Sequence, residues 1–435
     1  MEKIPKVYVG MSVDILHHGH INILEKASQY GDVLVGLLTD EAIVFGKRLP
    51  LLNYEQRLKI LKGIKFIKEI VPQQEWDYSK NLKKYKPEYM IHGDDWIEGP
   101  LAPYRKLALE ALKSYGGKLI EIPYTKNISA SKLVSTMRDR GTTPDLRRAT
   151  LKRLLSSKKI VRVIEAHSPL SALIGEKVNI HVKNQFREFD CFWSSSLTDS
   201  TEMGKPDIEA LDISKRLENI NNIFEVTTKP LIMDADTGGK IEHFNINIRS
   251  MERLGISAVI IEDKTGLKKN SLFGNDVYQS QEHIDTFSQK ISAAKKNLIS
   301  DDFMVIARVE SLILGKGMDD ALKRSLAYVD AGADGIMIHS RKKTPDEVFK
   351  FSSAFRKFHP HIPLIVVPTS FNMTTEEELL SNGFNIVIYA NHLLRAAYPA
   401  MKNVAEKILL ESNSAGVDKD IISISDILNL IPGTK

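Results

Sequence analysis

The stretch Val9–Leu24 reads VGMSVDILHHGHINIL and places three of the chain's 12 histidines at His17, His18 and His20. Imidazoles grouped this way can ligate zinc, hold a nucleotide, or simply give a helix a basic start. Zinc needs a third protein ligand and usually another spacing. The nucleotide reading uses more of the pattern. His17 and His20, three residues apart, share one face of a helix that begins here, beside backbone N–H groups that attract anions. Gly19 lets the backbone pass close to a ligand. Two imidazoles at such a turn can donate hydrogen bonds to α- and β-phosphates as charge builds in a transition state. On these residues alone the basic helix start stays open.

A second set of reactive side chains closes a series of apolar runs: Asp234 and Asp236 in LIMDAD, Glu262 in AVIIED, Arg308 in MVIARVE, His339 in GIMIHS, and the segment Trp193–Leu197, which includes Ser195. Side chains alternate along a strand, which predicts Asp234 and Asp236 on one face. With Glu262 on the next strand, three carboxylates converge. Unpaired they would repel, and an oxygen-rich acidic group suits Mg²⁺. The alternative for any one of these acids is the N-cap of the following helix.

The elements that must position these residues form two series. Runs rich in β-formers at 6–10, 32–38, 68–72, 88–92 and 118–122 alternate with helical patterns such as HINILEKASQYG. That alternation predicts a doubly wound parallel sheet of five strands. The polar, basic stretch 135–157 reads as a linker entering a new helix, which divides the chain into domains at 1–140 and 141–435. Eight further strand runs follow, at 161–166, 189–195, 229–236, 258–263, 303–310, 332–340, 362–369 and 384–392. Eight strand–helix units over roughly 250 residues predict a (β/α)₈ barrel, whose active site lies at the C-terminal strand ends. The second set of residues falls at those ends.

Composition narrows the function classes. A chain of 435 residues is too long for one ordinary core. Its 43% hydrophobic and 26% charged residues are the mix of a soluble globular protein. The net charge of +5 is spread thinly, with no basic block interleaved with aromatics, which argues against a nucleic-acid partner. No apolar run is long enough to span a bilayer, and the N-terminus lacks a signal-type apolar core. The single cysteine, Cys191, excludes an intramolecular disulfide and a Cys-rich zinc site, and fits a reducing cytoplasm.

The histidine turn, HHGH after a first strand, resembles the HxGH motif of cytidylyltransferase-like nucleotidyltransferases, and the likeness extends over about residues 5–140. LLTDEA and Lys47 resemble the second strand and its basic loop. NYEQRLKIL, with Arg57, resembles the segment that supports the triphosphate. HGDDW, with Asp94, resembles the motif after the fourth strand. NISASK, with Ser129 and Ser131, resembles the helix start that closes over the phosphates, and is equally an ordinary N-cap. Two positions depart from that pattern: Met11 stands at a glycine position, and Tyr124 stands at an arginine position with Lys126 nearby. The resemblance implies CTP as the nucleotide.

The segments WSSSLTDSTEMGKPD, LIMDADTGG, EDKTGLKKNS, IARVE and MIHS resemble the phosphoenolpyruvate mutase branch of the isocitrate lyase superfamily over about residues 147–430. The resemblance implies Asp207 as the nucleophile beside the substrate phosphoryl group. It implies Asp234, Asp236 and Glu262 as holders of Mg²⁺. It makes Glu262–Ser271 a gating loop whose Lys268, Asn270 and Ser271 close on the substrate. Arg308 and His339 take the anion-binding positions, and Trp193, Ser195 and Leu197 line the substrate. A carbon–carbon lyase of this superfamily would need a cysteine in the gating loop, which EDKTGLKKNS lacks. Phosphonopyruvate hydrolase shares the loop motif and is the alternative, paired with an N-terminal domain that binds a nucleotide without catalysis. The family also implies a homo-oligomer. The pairing of domains implies phosphonate biosynthesis, with a phosphonate or phospho-alcohol as the CMP acceptor.

Overall fold

The structure is a computed structural model that describes residues 4–123, 141–182, 185–266 and 268–431. The five expected N-terminal strands form: β1 (Lys6–Met11), β2 (Asp32–Leu38), β3 (Glu69–Gln73), β4 (Tyr89–Gly93) and β5 (Lys118–Ile122). They make one parallel sheet in the order β3-β2-β1-β4-β5. The central strand is buried on both faces, so its apolar run is nearly continuous rather than alternating. Val7, Val9 and Met11 pack into one layer with Leu24 and Val35, and Tyr8 packs into the other with Met90 and Trp96. Strand order reverses between β1 and β4, and ligands of doubly wound sheets bind outside the strand ends at such a reversal. β1 ends at Met11 and the helix His18–Ser28 follows, so the histidine turn sits there.

The chain divides into two compact units. The first takes in Met1–Val161 together with Glu176–Asp190 and Val226–Lys229. Within it, the antiparallel hairpin of β7 (Asn179–Val182) and β8 (Gln185–Glu188), with the end of the helix Pro169–Lys177 before it, supplies partners for Arg48. The guanidinium donates to Glu188 at 2.6 and 2.8 Å and to Glu176 at 2.5 Å.

The second unit holds a closed barrel of eight parallel strands. In barrel order they are β6 (Val161–Glu165), β9 (Cys191–Ser194), β10 (Leu231–Asp234), β11 (Ala258–Glu262), β14 (Met304–Val309), β15 (Gly335–Ile338), β16 (Leu364–Val366) and β17 (Ile386–Tyr389). Every residue of β9, β10, β11, β14, β15 and β16 is buried, as expected of parallel strands covered on both faces. Between β11 and β14 the chain leaves as β12 (Lys264–Thr265) and returns as β13 (Ser280–Gln281), a short antiparallel pair. After β17 comes the 20-residue helix His392–Glu411, none of whose residues is buried.

Candidate active sites

A cavity of about 210 Å³ opens at the C-terminal ends of the N-terminal sheet, and Met11, His17, Gly19, His20 and Lys47 all line it. His17 is the N-cap of its helix. Its Nδ1 accepts from the Gly19 amide at 3.2 Å, and the Nδ1 of His20 accepts from the His17 amide at 3.3 Å. An accepting Nδ1 carries no proton, so each neutral ring is protonated on Nε2. Both rings are held neutral. Burial pushes His20 down to about 4, helped by His17 and Lys47, and burial with the neighbouring His18 lowers His17. The turn therefore offers two imidazole N–H donors, while His18 is exposed.

The opposite wall is aromatic. His92 stacks on Trp96 with centroids 3.7 Å apart, and the Tyr78 hydroxyl lies 3.4 Å from His92 Nε2. Trp96 Nε1 donates to Glu121 at 2.8 Å, and Arg105 grips the same carboxylate. Gly10 makes this approach possible, because a Cβ there would stand 2.2 Å from the Tyr78 ring. Lys47 Nζ lies 5.5 Å from the centre of the Trp76 ring.

Two residues expected at the nucleotide are placed elsewhere. Arg57 is fully buried and donates to Ser12 O (2.6 Å), Asp40 Oδ1 (2.6 Å) and Leu52 O (3.2 Å). It pins the turn after β1, where buried Val13 adopts φ +49, rare for a β-branched residue. Asp94 is exposed and does not line the cavity, whereas its neighbour Asp95 does. Tyr124, Lys126, Ser129 and Ser131 lie outside the described residues.

In the barrel, Asp234 ends β10, Glu262 ends β11, Arg308 lies near the end of β14 and His339 follows β15. Glu262 and Arg308 are register partners on adjacent strands. A cavity of about 70 Å³ at these ends is lined by Trp193, Ser195, Leu197, Asp207, Asp234, Lys268, Asn270, Ser271, Arg308 and His339. The two aspartates come together by a route other than strand alternation. β10 stops at Asp234, and Asp236 lies beyond it in a left-handed turn at φ +56. Its amide donates to Asp234 Oδ1 at 3.1 Å.

Lys268 stands among the acids. Its ammonium bonds Asp236 and the Ser196 hydroxyl and lies 3.3 Å from Asp207 and 3.8 Å from Asp234. Burial would raise the pKa of Asp234, but Lys268, Arg308 and Arg216 outweigh it and hold the carboxyl well below its usual range. Burial disfavours the charge on Lys268 too, and Asp234, Asp236, Glu262 and Asp207 outweigh it and push that pKa up. Asn270 Nδ2 donates to Asp207 Oδ2 at 3.0 Å. Arg308 donates to Glu310 at 2.6 Å and Ser271 at 2.5 Å, and its Nη2 lies 3.0 Å from His339 Nδ1. The same Nδ1 lies 3.3 Å from Glu310 Oε1, so the ring sits between a guanidinium and a carboxylate. Burial and Arg308 lower the His339 pKa, and Glu310 opposes them without reversing the direction.

Among the described residues no three carboxylate, imidazole or thiol groups form a cluster ready to hold a metal ion. Mg²⁺ usually takes only one or two carboxylates and keeps several waters, so the relevant test is whether hard oxygens lack other bonds. Asp207 Oδ1 and both carboxylate oxygens of Glu262 are buried without a hydrogen bond. Lys264 and Arg308 stand 3.2 and 3.3 Å from Glu262, and burial still pushes its carboxyl up to about 7. Of the three expected holders, Glu262 offers a divalent cation two oxygens without a hydrogen bond, whereas those of Asp234 and Asp236 are bonded by Ser196, the Asp236 amide, Lys268 and Arg216.

A model of the phosphoenolpyruvate phosphomutase family matches residues 151–409, more than half of the chain. The chain belongs to the phosphoenolpyruvate phosphomutase family. A cytidylyltransferase-like model matches residues 8–136. Among curated relatives, a phosphonopyruvate hydrolase of Variovorax sp. is 36% identical over 282 residues, covering 64% of this chain and 93% of its own. A phosphoenolpyruvate phosphomutase of Tetrahymena pyriformis is 33% identical over 281 residues, covering 64% and 89%. A crystal structure of phosphoenolpyruvate phosphomutase from Streptomyces platensis subsp. rosaceus superposes with a TM-score of 0.59 at 34% identity, covering 65% of this chain and 94% of that one. A phosphonopyruvate hydrolase solved with oxalate and Mg²⁺ gives 0.58 at 34% identity, covering 66% and 95%.

In this phosphomutase-family barrel the structure gives a role to Ser196, within the expected segment Trp193–Leu197, and adds Arg216, which spacing did not single out. The Ser196 hydroxyl donates to Asp234 Oδ2 at 2.9 Å while it meets Lys268, so it joins the acid cluster to the loop that carries Lys268. Arg216 is buried and reaches Asp199 at 2.9 Å, Asp236 at 3.3 Å and the Ser194 carbonyl at 3.2 Å. It holds Asp236 from behind. Neither role was legible in one dimension, because the partners lie 17 to 72 residues apart.

Proposed function

We propose that the barrel, within 141–435, interconverts phosphoenolpyruvate and 3-phosphonopyruvate, and that the N-terminal domain, within 1–140, transfers CMP from CTP to a phosphonate such as 2-aminoethylphosphonate. The observation that carries the first assignment is the bond from Asn270, on the gating loop, to Asp207. The loop closes on the nucleophile itself and leaves Asp207 Oδ1 without a hydrogen bond.

In the forward direction Asp207 Oδ1 attacks phosphorus. The bond from phosphorus to the enol oxygen breaks and its electron pair stays on the pyruvate enolate. The enolate C3 then attacks the phosphoryl group, and the Asp207 carboxylate leaves with the electron pair of its own bond. The product is an isomer. Water reaching the enolate would protonate C3 and end in pyruvate, so closure is part of the chemistry. Arg308 and the neutral His339 donate to the phosphoryl oxygens as charge shifts. Mg²⁺ would be held by Asp234, Asp236 and Glu262, directly or through water, and would supply positive charge to the enolate and carboxylate oxygens.

Asn270→Ala should cut flux to phosphoenolpyruvate steeply and divert what remains towards pyruvate, because the loop loses its latch on Asp207. Product partitioning from phosphonopyruvate reads this directly. Unchanged partitioning would remove the latch from the account.

For the N-terminal cavity the support is its lining. His17, His20 and Lys47 suit phosphate and phosphonate oxygens. Tyr78 and Tyr104, with Asp95, suit an ammonium group, which ring faces and a carboxylate attract. The test uses the full chain with CTP and compares 2-aminoethylphosphonate with ethylphosphonate. Pyrophosphate release should favour the amine by about 30-fold, the weight of a desolvated cation–π contact. No CTP-dependent release with any phosphonate or phospho-alcohol would leave nucleotide binding alone.

We assign the chain to a homo-oligomer in the cytoplasm. The helix His392–Glu411 exposes Tyr398, Met401, Leu409 and Leu410, and a second barrel is the partner that would cover them. No described helix is long and apolar enough to cross a membrane.

A further inference from the structure

Asp263 follows Glu262 at the end of β11 and is completely buried, yet it does not line the cavity. Its Oδ1 accepts from the Glu310 amide at 2.9 Å. Its Oδ2 accepts from the Tyr328 hydroxyl at 2.8 Å, Gln281 Nε2 at 2.9 Å and Arg324 Nη1 at 3.3 Å. Its main chain is engaged as well, receiving from the Glu282 amide at 2.9 Å and donating to the Arg308 carbonyl at 3.1 Å. These partners come from the end of β14, the helix Met318–Asp330, and β13, where the gating loop returns.

The position of β13 gives this cluster its meaning. The loop leaves the barrel at Lys264, beside Asp263, and comes back at Gln281, which pairs with Lys264. One carboxylate therefore ties the outgoing end of the gate to its incoming end and to the barrel wall. Arg324 reinforces the return, donating to the Glu282 carbonyl at 2.8 Å. Gln281 also reaches Ser311 at 3.0 Å. From this base Lys264 Nζ extends under the loop to the Lys269 carbonyl at 2.8 Å and Ser271 Oγ at 3.0 Å, on either side of Asn270. Gly266, at φ +74, leaves the loop its freedom just beyond the fixed end. A buried charged network adds little to stability over apolar packing, so its concentration at the two ends of one loop needs another reason.

We infer that Asp263, with Gln281, Tyr328 and Arg324, is the fixed pivot of the gate. It is a positioning group that sets where Lys268 and Asn270 descend on Asp207, and hence how completely the closed loop excludes water. This rests on the mutase reading of the barrel.

The test uses full-length Tyr328→Phe and Gln281→Leu. Each removes one hydrogen bond from Asp263 without changing charge, and neither residue lines the cavity. Phosphonopyruvate and Mg²⁺ are supplied, and phosphoenolpyruvate, pyruvate and phosphate are followed by NMR. Each variant should raise the ratio of pyruvate to phosphoenolpyruvate by about 5-fold, the weight of one hydrogen bond. A purely structural role lowers both products together and leaves the ratio unmoved, and that result overturns the inference. Should the tyrosine variant not fold, the glutamine variant decides. Wild type that itself gives mainly pyruvate and phosphate would instead overturn the mutase reading.

Discussion

Asp207→Ala should abolish the proposed interconversion of phosphonopyruvate and phosphoenolpyruvate while leaving the chain folded. The drop in kcat should be at least about 10⁴-fold, as for removal of a nucleophile that forms the covalent intermediate. The fold survives because Asp207 contributes little to it: the contacts to its carboxylate come from Asn270 and Lys268, both on the gating loop. Lys268 keeps Asp236 and Ser196, so the loop retains its ammonium anchor. Mg²⁺ affinity should fall only modestly, since Asp234, Asp236 and Glu262 remain. Turnover with a thermal melt beside it checks the claim, and retention of substantial activity in a folded variant would remove the covalent role.

The second large effect belongs to the histidine turn. His20→Ala should lower CMP transfer by about 10²-fold or more, the cost of removing one transition-state donor. Mutase activity should be unchanged, because the two sets of residues line separate cavities. His18→Ala is the control, since His18 is exposed and outside the cavity. Equal damage from His18→Ala would contradict the assignment, as would zinc bound at the turn.

Strand–helix alternation was enough to draw both sheets. The five N-terminal runs and the eight later ones each overlap an observed strand; most of these strands are buried and parallel and leave an unbroken apolar signature, whereas the edge strands β3 and β5 are only partly covered. The rule that barrel sites lie at C-terminal strand ends led to Asp234, Glu262, Arg308 and His339. Asp207 and the gating-loop residues came from resemblance, since no periodicity marks them. Asp236 was expected on the strand face of Asp234 and instead enters from a left-handed turn, a conformation that alternation cannot express. Arg57 was expected at the triphosphate. A sequence does not show that its guanidinium is already used by Ser12, Asp40 and Leu52. Ser196, Arg216 and Asp263 do their work through partners distant in the chain, so their roles emerge only once the barrel is closed.

In the proposed reaction the barrel moves a phosphoryl group between oxygen and carbon of one molecule behind a closed gate. ³¹P NMR of phosphonopyruvate with the wild-type chain and Mg²⁺ follows that transfer directly. The phosphonate resonance should give way to that of phosphoenolpyruvate with little inorganic phosphate. Conversion mainly to inorganic phosphate, with pyruvate as the carbon product, would contradict it and make the barrel a hydrolase.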